Sequence, residues 1–419
     1  MAQLSGDCFA FGGPMLSVDD AVALLPSRLG VVDGHETVGL VEADGRVLAE
    51  DVAATLPLPP FTNSAVDGYA LRGEDLPVEA EKAFAIADFV QAGASAQVAA
   101  TAGQAIRIFT GAPMPAGADT VFMQEDVRIE ETGKVILPPG LKRGSNVRPT
   151  GEDIAAGQVV LRAGNRLRPQ DVALAAALGR TRLEVRRRIR VAVFSTGNEI
   201  VSPGAERGPV QLFDSNRFML LAMLARLGCA VTDLGIVRDD PASTAAMLKT
   251  AAASHDLILT SGGVSTGEAD YVKAAVESVG TLVFWRMAIK PGRPVAMGVI
   301  DGTPFIGLPG NPVASYVTFA YVARPAVLAL SGTPVQLPPS LPVRAAFAYK
   351  KKAGRREYVR THLRRAEDGT LEAVKFPREG AGLLSSLVDT DGLVELHERL
   401  NGVEHGQTVP FLSYASLVG

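Results

Sequence analysis

Residues 257–276 read LILTSGGVSTGEADYVKAAV, and the order of their chemistry decides the fold. Leu257, Ile258, Leu259 and Thr260 suit a buried strand. Ser261, Gly262 and Gly263 end it, and after Ser265, Thr266 and Gly267 a helical pattern starts near Asp270. Glycine tolerates backbone angles that other residues resist, so successive N–H groups can turn toward a ligand, and the following helix start adds partial positive charge. Such a loop suits phosphate or another oxyanion. Glu268 and Asp270 would repel an anion unless a hard cation such as magnesium lay between them. The alternative is plain geometry, a glycine-rich turn whose Asp270 caps its helix. Neither GxGxxG nor GxxxxGK[ST] occurs in the chain, which removes the usual dinucleotide and P-loop readings.

Upstream the same strand-loop-helix unit repeats. A strand over 190–194 meets Ser195-Thr196-Gly197-Asn198-Glu199. Asp214 and Ser215 then cap a helix with Leu220, Leu221, Leu224 and Leu227 on one face, stopped by Gly228. A strand over 230–237 meets Asp239 and Asp240, with Pro241 at the first helical position. This βαβαβα order predicts a parallel sheet with helices on its faces. Ligands gather beyond the carboxyl ends of such strands, and Glu199, Asp239, Asp240 and Asp270 all fall there, which favours a metal-assisted anion site. Downstream, strands over 281–285, 295–299 and 304–308 bracket Arg286, Lys290 and Arg293. The loop Pro309-Gly310-Asn311-Pro312 presents a helix over 313–321. Trp285, the sole tryptophan, reads as core.

Around this domain the style changes. Ser17 caps a helix to Leu29, a second helical piece covers 43–49, and the prolines of 57–60 hold FTNSAVDGY (61–69) as a fixed loop. Asp67 beside Gly68 is either a turn aspartate or a ligand contact. Short strands at 83–87, 105–109, 120–123 and 134–137 predict a small β domain, and the helix 168–178 resumes the earlier helical style. The basic link 186–190 and the connector 142–153 read as solvated. After 332, strands at 341–348, 357–363, 371–374, 392–396 and 407–411 predict a barrel or sandwich. Within it Lys350, Lys351, Lys352, Arg355, Arg356, Arg360, Arg364 and Arg365 form a dense basic cluster, either solvated or facing an anion.

The expected fold is therefore multidomain α/β. A central parallel βαβ domain (189–331) is joined by an inserted small β domain (51–147), a discontinuous helical and mixed N-terminal domain (1–50 with 148–188) and a C-terminal β-barrel-like domain (332–419).

A chain of 419 residues with 47% hydrophobic and 21% charged residues has an ordinary globular composition. The net charge of -4 gives no global pull toward nucleic acid or an anionic membrane, so neither is expected as a partner. Cys8 and Cys229 are too few for a disulfide framework, and the start lacks a signal-peptide pattern, so a cytoplasmic location is expected. Five scattered histidines without HExxH spacing argue against a histidine-built metal site. The apolar run 316–330 is short for a bilayer and is interrupted by Arg324-Pro325.

Taken together, these stretches resemble the molybdopterin molybdenumtransferase family, bacterial molybdenum-insertion enzymes related to the E domain of gephyrin. The matching pieces are PPFTNSAVDGYAL (59–71), IRIFTGAPMPAGADTVFMQED (106–126), RPTGEDIAAG (148–157), FSTGNEI (194–200), DSN (214–216), LGIVRDDP (234–241), SGGVSTGEADYVK (261–273), AIKPGRP (288–294) and GLPGNPVAS (307–315). The resemblance implies a central domain of molybdopterin-binding type. It also implies that adenylylated molybdopterin and molybdate bind, magnesium assists, AMP leaves and the dithiolene keeps the molybdenum. A four-domain, elongated homodimer is implied, in which Asp67, Thr110 and Asp153 of one subunit complete a site built by Glu199, Asp239, Asp270, Lys290, Pro309 and Pro312 of the other. Glu199, Asp239 and Asp270 are the implied metal ligands. Ser261, Gly262, Gly263, Ser265, Arg286, Arg293, Gly310, Asn311, Arg355, Arg360 and Ser385 are the further candidate ligand contacts. A molybdopterin adenylyltransferase and molybdoenzymes or cofactor-delivery proteins are the implied partners.

Four positions depart from the family pattern. Arg286 and Arg293 stand where lysine is common, Ala314 lies where a serine often follows GNPV, and Ala381 replaces a serine. Three rival readings remain: the adenylyltransferase itself, against which the added terminal domains argue; a gephyrin-like scaffold, against which the strand-end acids argue; and insertion of tungstate, which shares molybdate's charge and geometry.

Overall fold

A strand buried on both faces reads as a continuous apolar run, and β1 (Arg190–Thr196) and β3 (Leu257–Ser261) are such runs. The computed structural model describes residues 15–238, 240–262 and 271–418. In it a six-stranded sheet runs in the order β2 (Ala230–Val237), β1, β3, β6 (Thr303–Leu308), β5 (Pro294–Ile300), β4 (Gly280–Arg286). The first four strands are parallel, as expected, while β4, β5 and β6 pair antiparallel. The reason lies in the connections. Asp301 and Gly302, with φ of 48° and 83°, make a two-residue turn, far short of the dozen or so residues that a parallel crossover needs.

Side chains alternate along a strand, so neighbours enter different cores. Val191, Val193, Leu257 and Leu259 pack with Leu220 and Leu224 of α1 (Asn216–Arg226). Ala192, Phe194 and Ile258 pack with Leu248 of α2 (Pro241–Ser254) and Val276 of α3 (Tyr271–Val279). The helix starts follow their capping chemistry. Asp214 Oδ1 accepts from Arg217 N at 3.2 Å, and Asp240 accepts from Ser243 N at 2.9 Å with Pro241 next in line. Trp285 is 2% exposed, a core residue as expected.

The helix after Pro309 does not break at Arg324-Pro325. α4 (Pro312–Thr318) passes through a wider π turn (Phe319–Ala323) into α5 (Arg324–Ser331), and the widened turn absorbs the hydrogen bond that Pro325 cannot donate. Pro312–Ser331 is long and apolar enough to cross a membrane, yet 94% of its most apolar 18-residue window is buried inside the protein as the core helix. Against it packs the first helix, Val18–Arg28, through Val18, Ala21, Val22 and Leu25. That helix thus sits in the core of the sheet domain and not with residues 148–188.

The discontinuous segments pair as antiparallel strands, His35–Gly39 with Arg182–Arg186 and Val52–Ala53 with Val159–Leu161, around Leu48, Leu167 and Ala175. The second helix is Leu40–Ala43 and not 43–49, because the Asp44-Gly45 turn stops it and Val47 and Leu48 bridge to Arg166 and Val185. Between these segments lies a six-stranded sheet, and its strand Gly68–Leu71 begins inside the stretch 61–69 that is expected to be a fixed loop. Its glycine hid it. A Cβ at Gly68 would overlap the Phe122 carbonyl, so only glycine allows the close pairing there.

In the C-terminal region Arg356–Arg365 pairs with both Leu371–Lys375 and Gly392–Leu396 and closes a five-stranded barrel. Ile289–Lys290 of the sheet domain adds to the same strand, Ile289 opposite Arg356 and Lys290 opposite Glu357.

The basic link 186–190 is not simply solvated. Arg187 Nη1 and Nη2 grip Asp256 at 2.7 and 2.8 Å, and Arg190 N donates to the same carboxylate at 2.8 Å, tying the approach to β1 to the start of β3. Burial would raise the Asp256 pKa, but the hydrogen bonds from Arg187 and Arg190 win and bring it down to about 2. A depressed carboxyl contributes stability that is present above its unfolded pKa and is lost as pH falls toward 2. Asp256→Asn should therefore lower the unfolding free energy at pH 7 by about 2 kcal/mol. The deficit against wild type should shrink between about pH 4 and pH 2 in urea titrations.

Candidate functional site

The carboxyl ends of β1, β3 and β6 open into a cleft of about 360 Å³. Ser195, Glu199, Asn216, Ser261, Gly262 and Gly310 are among its walls, and Asn311 and Pro312 bring the start of the core helix to it. Asn216 holds the floor together. Its Nδ2 donates to Ser261 Oγ at 2.9 Å and to Gly310 O at 2.7 Å, while Gly262 N donates to Leu308 O at 3.0 Å. The two glycine loops are thus fixed to one another by the Asn216 amide and by the Gly262–Leu308 backbone bond. Below them Ser195 Oγ donates to Asp214 Oδ1 at 3.2 Å, and buried Arg217 joins Asp214 to Asp233. Burial would lower the Arg217 pKa, but the two carboxylates raise it, so the cleft floor is a fixed charged network. Asn216 Oδ1, Thr260 Oγ1 and Ser315 Oγ are buried with no hydrogen-bond partner.

Glu199 is exposed on the cleft wall, and its backbone oxygen accepts from Leu212 N at 2.7 Å. Asp214 is consumed by Arg217 and Asp240 by its helix cap. Among the described residues no group of three or more acid, histidine or cysteine side chains is gathered for a metal. Asp239, Gly263, Ser265 and Asp270 lie outside the described residues.

A second cavity, about 240 Å³, lies between the barrel and Lys290. Its cations are Lys290, Arg360, Lys375 and Arg378, and its carboxylates are Glu357 and Glu379. Arg360 is 8% exposed, donates to Arg378 O at 3.3 Å and leaves its Nε without a partner. An unpartnered buried guanidinium N–H in a cation-rich cavity is an anion-binding arrangement. One segment separates the two cavities. Ala381 lines the second, Gly382 and Leu384 line the first, and Val313 N donates to Ala381 O at 2.9 Å, which fixes the segment on the first turn of α4.

The other expected residues fall outside both cavities. Arg286 and Arg293 are exposed, the latter reaching Met15 Sδ at 3.5 Å; Arg355 is half-buried, and Ser385 is exposed at the start of a short helix. Pro309 contributes its carbonyl, which accepts from Ser261 Oγ at 3.4 Å. Asp67 and Thr110 form a pair, with Thr110 N and Oγ1 each 2.8 Å from Asp67 Oδ1, and the backbone bond first and the hydroxyl next hold the carboxyl below its usual range. Neither of them, nor exposed Asp153, reaches either cavity of the same chain.

Of the basic cluster only Arg360 lines the second cavity. Lys351 is spent on the carbonyls of His397 and Leu400, Arg356 on Asp19 and Glu398, and Arg364 on Glu372. Tyr349, Glu357, Lys375 and Arg378 were not read from sequence. No sequence signal marks them: along 356–360 the strand alternation sets Glu357 on the face opposite Arg360, although both line this cavity.

Residues 16–179 match the MoeA N-terminal region (domain I and II), residues 192–329 a probable molybdopterin binding domain and residues 342–414 the MoeA C-terminal region (domain IV). The chain is 37% identical to a molybdopterin molybdenumtransferase of Haemophilus influenzae over 97% of its own length and 100% of the relative's. It is 36% identical to molybdopterin molybdenumtransferase 2 of Mycobacterium tuberculosis over 88% and 93%. Among solved structures, the molybdopterin biosynthesis moeA protein of Pyrococcus horikoshii OT3 superposes with a TM-score of 0.81 at 30% identity, covering 96% of this chain and 100% of that one.

Gly197, with φ of 140°, sets the path of the Glu199 loop. A Cβ there would also lie 2.6 Å from Glu199 Oε1. Gly197→Ala should cost about 1–3 kcal/mol in urea unfolding. The double variant with Glu199→Ala should recover only a small part of that loss, because the backbone strain stays when the flexible carboxylate is gone.

Proposed function

The chain belongs to the molybdopterin molybdenumtransferase family, and from that premise we propose that it transfers molybdenum from molybdate into adenylylated molybdopterin with release of AMP. It is a transferase of molybdenum cofactor biosynthesis. The observation that carries the finer reading is the pair of cavities on either side of residues 381–384. The strand-end cleft, with its glycine loops and helix start, suits the phosphates of the nucleotide. The cation-lined cavity suits a tetraoxoanion, with Arg360 offering its free N–H and Lys290 its ammonium. The two substrates then meet across one short segment, which removes much of the entropic cost of bringing them together.

Magnesium is part of the proposal. Exposed Glu199 is a hard oxygen donor already on the cleft, and Asp239 and Asp270, which follow β2 and β3 in sequence, would complete the set. The bound ion would neutralise phosphate oxygens as the anhydride is cleaved. The protein's own share is to hold the nucleotide against the Asn216-tied floor and the oxyanion against Lys290 and Arg360.

The assembly proposed is a homodimer. Asp67 is bound to Thr110 yet lines neither cavity of its own chain, which supports its use in the cleft of a second copy. Sedimentation velocity at micromolar concentration should give a dimer; a monomer would contradict the shared site.

The reaction is tested by AMP release from adenylylated molybdopterin. Wild type should require both molybdate and magnesium, and chelation should also remove a magnesium-dependent rise in melting temperature. Glu199→Gln should still bind the nucleotide but release AMP at least 100-fold more slowly, the order expected when transition-state charge stabilisation is lost. A folded wild type that binds the nucleotide and releases nothing would overturn the proposal.

A further inference from the structure

The second cavity contains two residues that the proposed reaction does not yet use. Glu357, 2% exposed, stands opposite Lys290 in the backbone register that joins the barrel to the sheet domain. Its Oε2 accepts from Lys290 Nζ at 3.0 Å and from Tyr349 Oη at 2.9 Å, and Lys290 Nζ also donates to Tyr349 Oη at 3.2 Å. Three polar atoms form a closed triangle.

An ammonium carries three N–H bonds in tetrahedral directions on a flexible stem. Here two of them are committed, one to the carboxylate and one to the phenol. The third is left for a ligand, and its direction is set by the other two. The remaining cations of the cavity are not held in this way. Lys375 is bound by Glu379 at 2.9 Å, Arg378 lies over the Phe376 ring at 5.9 Å, and Arg360 makes one bond to the Arg378 carbonyl.

A buried carboxylate in a cavity built for an anion needs a reason, because it costs desolvation and repels the ligand unless it is neutralised. Glu357 is neutralised by Lys290 and further by the Tyr349 hydroxyl. Burial would lower the Lys290 pKa, but the bonds to Glu357 and Tyr349 raise it, so the lysine stays charged when the cavity is dry.

We propose that Glu357 and Tyr349 are positioning residues for the oxyanion. They hold the Lys290 ammonium so that one N–H remains for the ligand, in the same cavity as the free Nε of Arg360. The proposal rests on the reading of this cavity as the molybdate half of the site. Neither residue touches the nucleotide cleft, so their effect should fall on molybdate alone.

The test is AMP release as a function of molybdate concentration in wild type, Glu357→Gln, Tyr349→Phe, Lys290→Met and the Lys290→Met/Glu357→Gln double variant, with nucleotide binding measured alongside. Glu357→Gln should raise the KM for molybdate about tenfold, the size expected for loss of one charge-assisted hydrogen bond. Its kcat and nucleotide Kd should stay within about twofold of wild type, and Tyr349→Phe should give a smaller rise of about threefold in the same constant. The decisive readout is a change of sign. In the Lys290→Met background Glu357 is an unpaired negative charge, so adding Glu357→Gln should lower the KM for molybdate instead of raising it. A merely structural Glu357 would not reverse. An unchanged KM in Glu357→Gln, equal losses in nucleotide and molybdate binding, or a worsened KM in both backgrounds would overturn the assignment. A wild type that neither binds nor responds to molybdate would overturn the parent reading as well, and would do so before any variant is compared.

Discussion

Two residues of backbone pairing, Ile289 with Arg356 and Lys290 with Glu357, hold the C-terminal barrel to the sheet domain, and the geometry of both cavities follows from them. The pairing is reinforced by Arg356 N, which donates to Ala288 O at 2.8 Å. Next to it the Arg356 guanidinium, 4% exposed, reaches Asp19 on the first helix and Glu398 of the barrel. Burial would lower the Arg356 pKa, and the bond to Asp19 with the nearby Glu395 charge keeps it raised instead. A buried arginine with several carboxylate partners serves registry better than net stability. Here it fixes one docking pose among three parts of the chain. From that pose the segment 379–384 reaches α4, and Arg360 faces the cavity that Lys290 enters.

The distribution of charge around the two cavities follows one rule. Acids and bases needed for the frame are neutralised in place, as in Asp256 with Arg187 and Asp214 with Arg217. Two groups with unspent polar atoms, exposed Glu199 and the Nε of Arg360, lie on the walls of the cleft and of the second cavity. Neutralised pairs stiffen the floor, and the unspent groups are what a ligand can use.

How much of this could be read from residues depends on the physical signal each element carries. β1, β3 and their helices were legible, because continuous apolar runs, Asp caps and glycine stops are local. Gly68–Leu71 was not, because its strand character comes from the Phe122 carbonyl pressed against Gly68, a contact across 54 residues of chain. The helix expected to stop before Pro325 continues because a π turn repairs the ladder, and tertiary burial of nearly the whole helix outweighs the local rule. The cleft was legible through Glu199, Ser261, Gly262 and the proline-braced loop, all of which are motif residues at strand ends. The second cavity was legible only through Lys290 and Arg360. Tyr349, Glu357 and Lys375 carry no motif, and barrel closure, a long-range event, is what brings them together. Seven of the eight basic residues in 350–365 lie off that cavity, since a count of charges does not say which are already paired.

The central claim is that the oxyanion and the nucleotide occupy different cavities on the two sides of residues 381–384. The most direct measurement is a crystal structure of the protein soaked with molybdate and the nucleotide, with anomalous scattering recorded at the molybdenum edge. The account predicts an anomalous peak in contact with Lys290 and Arg360, and nucleotide density over Asn216 and Ser261. A peak in the strand-end cleft with the Lys290 cavity empty would contradict it.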